Sequence, residues 1–101
     1  MVLYLCGNTD MASCGDDFAY AEQEVRDAGH TPINPFKFHG SIHGLTQEQS
    51  MEIDMALLDM ADGMILMSGW DHSMSCNRQY GFALAKNLKI VALESLPSRY
   101  E

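Results

Sequence analysis

Four short apolar segments recur along the chain, and the longer segments between them place apolar residues with a helical period. Apolar runs of four or five residues are typical of strands that are buried on both faces of a parallel sheet. The pattern predicts strands at Val2–Cys6, 30–34, 63–67 and 89–93. We therefore expect strands and helices to alternate through the whole chain.

Three helices are predicted between the strands, and each has a start or stop signal. The first ends just before Gly29, because glycine commonly follows the last residue of a helix. Thr46 and Gln49 form a capping box that opens the second, and Ser73 or Ser75 caps the third. The predicted helices cover 16–28, 47–61 and about 74–86. Their predicted inward faces are Phe18, Ala21, Val25 and Ala28; Ile53, Ala56, Leu57 and Met60; and Tyr80, Ala83 and Leu84.

The remaining segments, 8–15, 36–45 and 68–74, are predicted to be loops because they show no period and contain turn residues. Alternation of strands and helices indicates an α/β fold with right-handed crossovers. We predict a three-layer flavodoxin-like sandwich, with a four-stranded parallel sheet in the order 2-1-3-4. One domain should cover 1–94, followed by a tail at 95–101.

Ligands of such sheets bind beyond the carboxyl ends of the strands, where the strand order reverses. Segments 7–15, 34–44 and 68–79 should converge there. A formal net charge of -8 argues against binding to a nucleic-acid polymer, and no apolar run is long enough to cross a membrane. The three cysteines and four histidines show no metal-site spacing, so no metal or cofactor is expected. Unpaired cysteines and the lack of a signal-peptide pattern favour a cytoplasmic protein.

Two strand ends hold candidate binding residues. Gly7, Asn8 and Thr9 follow the first strand, where a glycine permits close approach to a ligand; an ordinary strand-to-loop turn is the alternative. Asn34 is held extended by the proline after it, and Phe36 could stack on a base. The alternative for this pair is a strand terminator with a core aromatic residue.

Candidate residues also lie on the second helix and after the third strand. Asp54 adjoins an apolar stripe, where a carboxylate could contact a sugar or a base, although it could also be an exposed acidic residue. Ser73 and Ser75 stand at a predicted helix start, which suits a phosphate or carboxylate. Trp70 and Asp71 precede them, and burial is the alternative for Trp70. Asp71 with His72 could belong to a Ser/His/Asp site, but no nucleophile-elbow pattern accompanies them.

Taken in order, these segments resemble the nucleoside 2-deoxyribosyltransferase superfamily, particularly its small, uncharacterised phage and bacterial (DUF4406-like) branch. The resemblance is carried by "AGHTPINPF", "EIDMALLDMADGMILMSGWD" and "QYGFALAKNLKIVAL". It implies cleavage or exchange of the N-glycosidic bond of a deoxynucleoside or its 5′-monophosphate. It also implies a nucleophilic glutamate in the last helix, an assisting aspartate at Asp54, and phosphate contacts at Ser73 and Ser75. A homodimer or higher homo-oligomer is implied too, for which Met51, Met55 and Leu58 would suit an interface or else the core.

The chain departs from this pattern at the nucleophile, because Gln79 stands where the glutamate is expected. Glutamine has no charge to attack an anomeric carbon, but it can still hydrogen-bond a sugar hydroxyl. Three functions remain open. The protein could bind a nucleoside or nucleotide with little or no turnover, it could be an N-glycosidase using Asp54 or Asp71, or it could be a protein-interaction module with a methionine-rich surface.

Overall fold

In a computed structural model of the chain, residues 1–9 and 13–96 are described, and they form one parallel sheet between two layers of helices. The strands are β1 (Val2–Cys6), β2 (Thr31–Ile33), β3 (Gly63–Leu66) and β4 (Lys89–Ala92). The helices are α1 (Cys14–Asp27), α2 (Pro35–Ser41), α3 (Gln47–Asp59) and α4 (Met74–Ala85). Short 3₁₀ turns occur at Trp70–His72 and Leu93–Ser95.

The sheet has the order β2-β1-β3-β4 with all three pairings parallel, which confirms the predicted flavodoxin-like topology. In register, Tyr4 pairs with Ile33 on one side and with Met64 on the other. The order reverses between β1 and β3. The carboxyl edge at this reversal is where the architecture places a ligand.

Alternate residues of the strands pack into two separate cores. On one face, α1 buries Phe18, Ala21 and Val25 against the sheet. On the other face, α3 and α4 cover Tyr4, Cys6 and Met64. Ala28, predicted to point inward from α1, is only partly buried.

The structure corrects the prediction that 36–45 is a loop, because α2 forms there. The Asn34 side chain accepts a hydrogen bond from the Phe36 N–H at 3.1 Å, and Pro35 occupies the first helical turn, where its lack of an N–H does no harm. A seven-residue helix is too short to show an apolar period. The cap and the proline were the available signals.

The predicted inward faces of α3 and α4 also need correction. On α3, Leu57 is buried as predicted, but Ala56 and Met60 are exposed, whereas Asp54 and Leu58 are buried. The buried face is rotated by one residue because apolar side chains surround this helix and define no single stripe. Leu58 is a core residue, so it is unavailable to an interface. On α4, Ala83 is buried, Tyr80 is partly buried and Leu84 is exposed.

Two predicted segments extend beyond the described residues. Residues 10–12 of the predicted loop 8–15 lie outside them, and α1 already begins at Cys14. Of the predicted tail, 97–101 lies outside, while Leu96 packs against the core on the α1 face. The boundary at 94 therefore stays a prediction. No helix among the described residues is long and apolar enough to cross a membrane.

Candidate functional site

A cleft of about 490 Å³ opens at the carboxyl edge of the sheet, where the strand order reverses. It is enclosed by the end of β1, by α2 and α3 on one side, and by the start of α4 on the other. Its lining includes six of the predicted site residues: Gly7, Thr9, Asp54, Ser73, Ser75 and Gln79. Each of the three predicted segments therefore contributes some of its residues to this one edge of the sheet.

Asp54 is the central charged group of the cleft, and only 6% of its surface is exposed. The Nε2–H of His39 donates to Oδ1 of Asp54 at 2.6 Å, and Nε2 of Gln79 donates to Oδ2 at 3.5 Å. Among the described residues that line the cleft, Asp54 is the only carboxylate. Any chemistry that needs a carboxylate in this part of the structure must therefore use Asp54.

The environment of Asp54 acts on its acidity in two opposing directions. Burial raises the pKa of the Asp54 carboxyl, because it removes water from the charged form. The hydrogen bond and electrostatic attraction to His39, together with the hydrogen bond from Gln79, lower the pKa in part. Burial is the larger effect, so the net shift is upward. Such a carboxyl can exchange a proton more readily near neutral pH than an exposed one.

Gln79 lies in the wall of the cleft with 3% of its surface exposed. Its carbonyl oxygen accepts a hydrogen bond from the Cys6 thiol at 3.5 Å, while its amide nitrogen donates to Asp54. This pairing fixes which way the amide points, because a carboxylate can only accept and the thiol donates. Gln79 therefore holds a defined orientation between β1 and α3.

Tyr4 lies behind this group on β1 and also lines the cleft. Burial, followed by the nearby charge of Asp54, raises the pKa of the Tyr4 hydroxyl well above its ordinary value. Tyr4 is therefore a neutral phenol at physiological pH. It can donate a hydrogen bond to a ligand without adding charge.

The start of α4 forms the opposite wall. The Ser73 hydroxyl accepts from the Cys76 N–H at 3.3 Å, so Ser73 rather than Ser75 caps the helix. Ser75 and Met74 also line the cleft, and Met74 is 81% exposed. Hydroxyls and helix N–H groups at this end favour an acceptor-rich ligand group.

Gly7 has a packing reason in addition to its place in the cleft. A Cβ atom at this position would lie 2.8 Å from the Met67 sulfur and 3.0 Å from the Phe18 ring. No side chain fits there without displacement of the core. A larger residue at this position would therefore have to move the end of the Met67 side chain and press on Phe18.

Five predicted site residues lie outside the cleft lining: Asn8, Asn34, Phe36, Trp70 and Asp71. Nδ2 of Asn34 donates to Glu22 at 2.8 Å, and its oxygen caps α2, so both ends of its amide have partners. Phe36 stacks on Phe18 with ring centroids 5.6 Å apart, and Trp70 packs on Tyr80 at 4.8 Å. Asp71 is exposed. These contacts build the frame of the site.

Sequence reasoning missed several residues that line the cleft, above all His39, Tyr4 and Cys76. The sequence does not point to His39, because the pattern of 36–45 predicts a loop and not α2. A further signal was present on α3, where Gln47, Ser50, Met51 and Asp54 recur at helical spacing and all line the cleft. A stripe of this kind, pointing to the ligand edge, could have been found by the period used for apolar residues.

The cleft does not have the donor set of a metal centre. Across 1–9 and 13–96, no group of three or more His, Cys, Asp or Glu side chains could hold a metal ion. The polar groups of the cleft are instead hydroxyls, amides, one carboxylate and two imidazoles. This set suits hydrogen bonding to an organic ligand.

Sheet order and the reversal edge define the chain as an α/β protein with a deoxyribosyltransferase-like fold. The solved structure of a 2-deoxyribosyltransferase from Bacillus psychrosaccharolyticus superimposes on it with a TM-score of 0.73. The two share 17% sequence identity over 91% of this chain and 71% of the other. The chain belongs to the family described as "Domain of unknown function (DUF4406)", which matches residues 1–92. Comparison of the sequence with curated proteins gives no match.

Proposed function

We propose that the cleft binds a nucleoside or nucleotide and that the protein cleaves the glycosidic bond slowly or not at all. The observation that carries this proposal is the placement of Gln79. It is buried in the cleft wall, held between Cys6 and Asp54, at the position where the family resemblance implies a nucleophilic glutamate. An oriented but neutral amide can bind a sugar, and it cannot form a glycosyl ester.

Slow or absent cleavage is expected because a retaining displacement at the sugar requires a charged nucleophile. The nucleophile in such a reaction is a carboxylate, which stabilises positive charge on the sugar and then bonds to its anomeric carbon. An amide oxygen is a much weaker nucleophile and carries no charge. Gln79 also donates a hydrogen bond that stabilises the ionised carboxyl of Asp54, whereas a carboxylate at position 79 would repel it.

The cleft is suited in size and polarity to a ligand of this class. Its volume of about 490 Å³ lies within the usual range for small-molecule sites, roughly 300–1,000 Å³. Asp54, Tyr4 and Ser75 offer hydrogen-bond partners for sugar hydroxyls and base edges. Met51 and Met74 supply polarisable apolar surface against which a base can lie.

A second candidate function is an N-glycosidase in which Asp54 acts in place of the missing glutamate. The observation that favours it is the 2.6 Å hydrogen bond from His39, which orients Asp54 as a partner orients a catalytic carboxyl. Asp71, the other carboxylate considered, is exposed and lies outside the cleft lining. The enzymatic alternative therefore depends on Asp54 among the described residues.

Chromatographic detection of free base separates the two functions. The protein is incubated with deoxyadenosine, deoxyguanosine, deoxycytidine and thymidine and with their 5′-monophosphates, and binding is measured in parallel by calorimetry. We expect binding without base release, and base release by Gln79→Glu. Base release by the native protein that is lost in Asp54→Asn would favour the enzyme. Calorimetry that detects no binding of any of these compounds would contradict both.

A further inference from the structure

Two thiols lie beneath the cleft on the face covered by α3 and α4. Cys6 is the last residue of β1 and Cys76 lies in the first turn of α4, and both are buried. The Cys6 sulfur lies 3.8 Å from the backbone oxygen of Cys76, and the Cys76 thiol donates to the backbone oxygen of Gly7 at 3.2 Å. Each thiol therefore points at the segment that carries the other.

The third cysteine is separated from this pair by the sheet. Cys14 packs against the core on the α1 face, whereas Cys6 and Cys76 belong to the core on the opposite face. None of the three cysteines is in a disulfide. The fold thus selects one pairing of the three that the sequence allows.

This pair is connected directly to the candidate site. Cys76 lines the cleft, and the Cys6 thiol donates the hydrogen bond that holds the Gln79 oxygen. A disulfide between Cys6 and Cys76 would remove both thiol hydrogens. Gln79 would then lose its donor on β1, and the first turn of α4 would be drawn towards the strand.

We propose that Cys6 and Cys76 are an oxidisable pair whose disulfide weakens ligand binding in the cleft; the binding part rests on the proposed function above. With hydrogen peroxide as oxidant, the Cys76 sulfur attacks one peroxide oxygen, which breaks the O–O bond, forms a sulfenic acid and releases water. The Cys6 sulfur then attacks the Cys76 sulfur, forms the S–S bond and releases a second water. Two thiols lose two electrons and two protons, and the peroxide gains them.

The local environment sets how fast this reaction proceeds. The hydrogen bond with the Cys76 thiol and then burial raise the pKa of the Cys6 thiol above its ordinary value. Since the thiolate is the attacking form, the second step is slow at neutral pH and faster as the pH rises.

Diamide is the oxidant of choice for the test, because it takes two electrons and two protons from a pair of thiols and spares methionine. Cleavage before aspartate then places the three cysteines in separate fragments, 1–9, 10–15 and 71–101. We expect mass spectrometry to show 1–9 joined to 71–101 and the fragment 10–15 free. Cys14→Ser should keep this cross-link, and Cys6→Ala and Cys76→Ala should each abolish it.

Calorimetry with the same deoxynucleosides and 5′-monophosphates measures the effect on the cleft. We expect about fivefold weaker binding after oxidation, the effect of roughly one lost hydrogen bond, with recovery in dithiothreitol. Absence of the joined fragments, or unchanged affinity in the cross-linked protein, would overturn the proposal.

If the reduced protein binds none of the compounds, the proposed function fails, and the fragments and Trp70 fluorescence decide the redox proposal alone. Trp70 packs on Tyr80, next to Gln79, so its emission should change on oxidation and recover on reduction.

Discussion

His39 donates a 2.6 Å hydrogen bond to Asp54, and this contact joins a seven-residue helix to the charged centre of the cleft. The two side chains are 15 residues apart in sequence and lie on different helices, α2 and α3. Their contact makes the acidity of the cleft depend on the position of α2.

Replacement of His39 by phenylalanine should raise the pKa of Asp54 further. The substitution removes a hydrogen bond that favours the ionised carboxyl, while the burial that opposes ionisation remains. Carboxyl carbon shifts followed by NMR across a pH titration would measure the change. His43→Phe is the control, because His43 is exposed and near in sequence. An Asp54 titration that is unchanged in His39→Phe would contradict the assigned role of this contact.

Introducing a glutamate at position 79 should make stability depend on pH in a way that native Gln79 does not. The new carboxyl would lie about where the Gln79 nitrogen lies, 3.5 Å from Asp54, so one proton should be retained in the folded state. A folded pKa above the unfolded value means that stability falls as pH rises from the unfolded pKa through the folded one. Between pH 5 and pH 8 we expect Gln79→Glu to lose roughly 2 kcal/mol relative to native protein.

Urea unfolding at the two pH values would measure this loss. Ala19→Glu introduces the same charge at an exposed position of α1 and should show almost no pH-dependent loss. Equal behaviour of the two variants would mean that a carboxyl at position 79 does not share a proton with Asp54.

Glu22 should contribute to stability at neutral pH and lose that contribution in acid. It is 4% exposed, and burial opposes its ionisation, yet hydrogen bonds from Lys37, Asn34 and Arg26 outweigh burial and lower its pKa to about 2. A lowered folded pKa gives stability that is complete above the unfolded pKa and is lost as pH falls towards 2. Because Lys37 and Arg26 are exposed, we expect Glu22→Gln to cost roughly 2 kcal/mol at pH 7 and much less at pH 2.5.

The measurement is the free energy of unfolding in urea at both pH values. Glu52→Gln, at an exposed position of α3, is the matched control and should change stability by less than about 0.5 kcal/mol. A pH-independent cost for Glu22→Gln would show that packing, and not charge, explains the role of Glu22.

Substitution of Gly7 by alanine should destabilise the protein by roughly 1–3 kcal/mol, because the added methyl group would overlap Met67 and Phe18. Gly81→Ala is the matched control. Gly81 lies in α4, and an added Cβ atom there would have no neighbouring atom within 4 Å. The alanine should therefore stabilise the helix by roughly 0.5–1 kcal/mol. Thermal unfolding would rank the two variants. A neutral Gly7→Ala would indicate that Met67 can move aside.

The topology of the sheet could be predicted from sequence because each strand is a compact apolar run and each long helix has a clear signal. The capping box at Thr46 and Gln49 is present as predicted, with both of its hydrogen bonds formed. Helix α2 could not be predicted from periodicity, since seven residues make barely two turns. The face of α3 could not be predicted either, because its apolar residues surround the helix.

The sequence predicts where in the fold the candidate site lies, but it predicts only some of the residues that line it. Asp54, Gln79 and Ser75 line the cleft because the strand ends carry their elements to one edge. Asn34 and Phe36 follow strand β2 directly in sequence. However, the Asn34 side chain hydrogen-bonds Glu22 on α1, and the Phe36 ring stacks on Phe18 on the same helix. Side-chain partners on a different helix leave no trace in local sequence, so this distinction required the tertiary structure.

Helix α2 is anchored at both ends by acidic residues that belong to opposite layers of the sandwich. Glu22 on α1 holds Asn34 and Lys37 at one end, and Asp54 on α3 holds His39 at the other. Helix α2 is thus bonded to helices on both faces of the sheet, to α1 on one face and to α3 on the other. A substitution at Glu22, in the helical layer on the far side of the sheet from α3, should therefore also change the His39–Asp54 contact in the cleft.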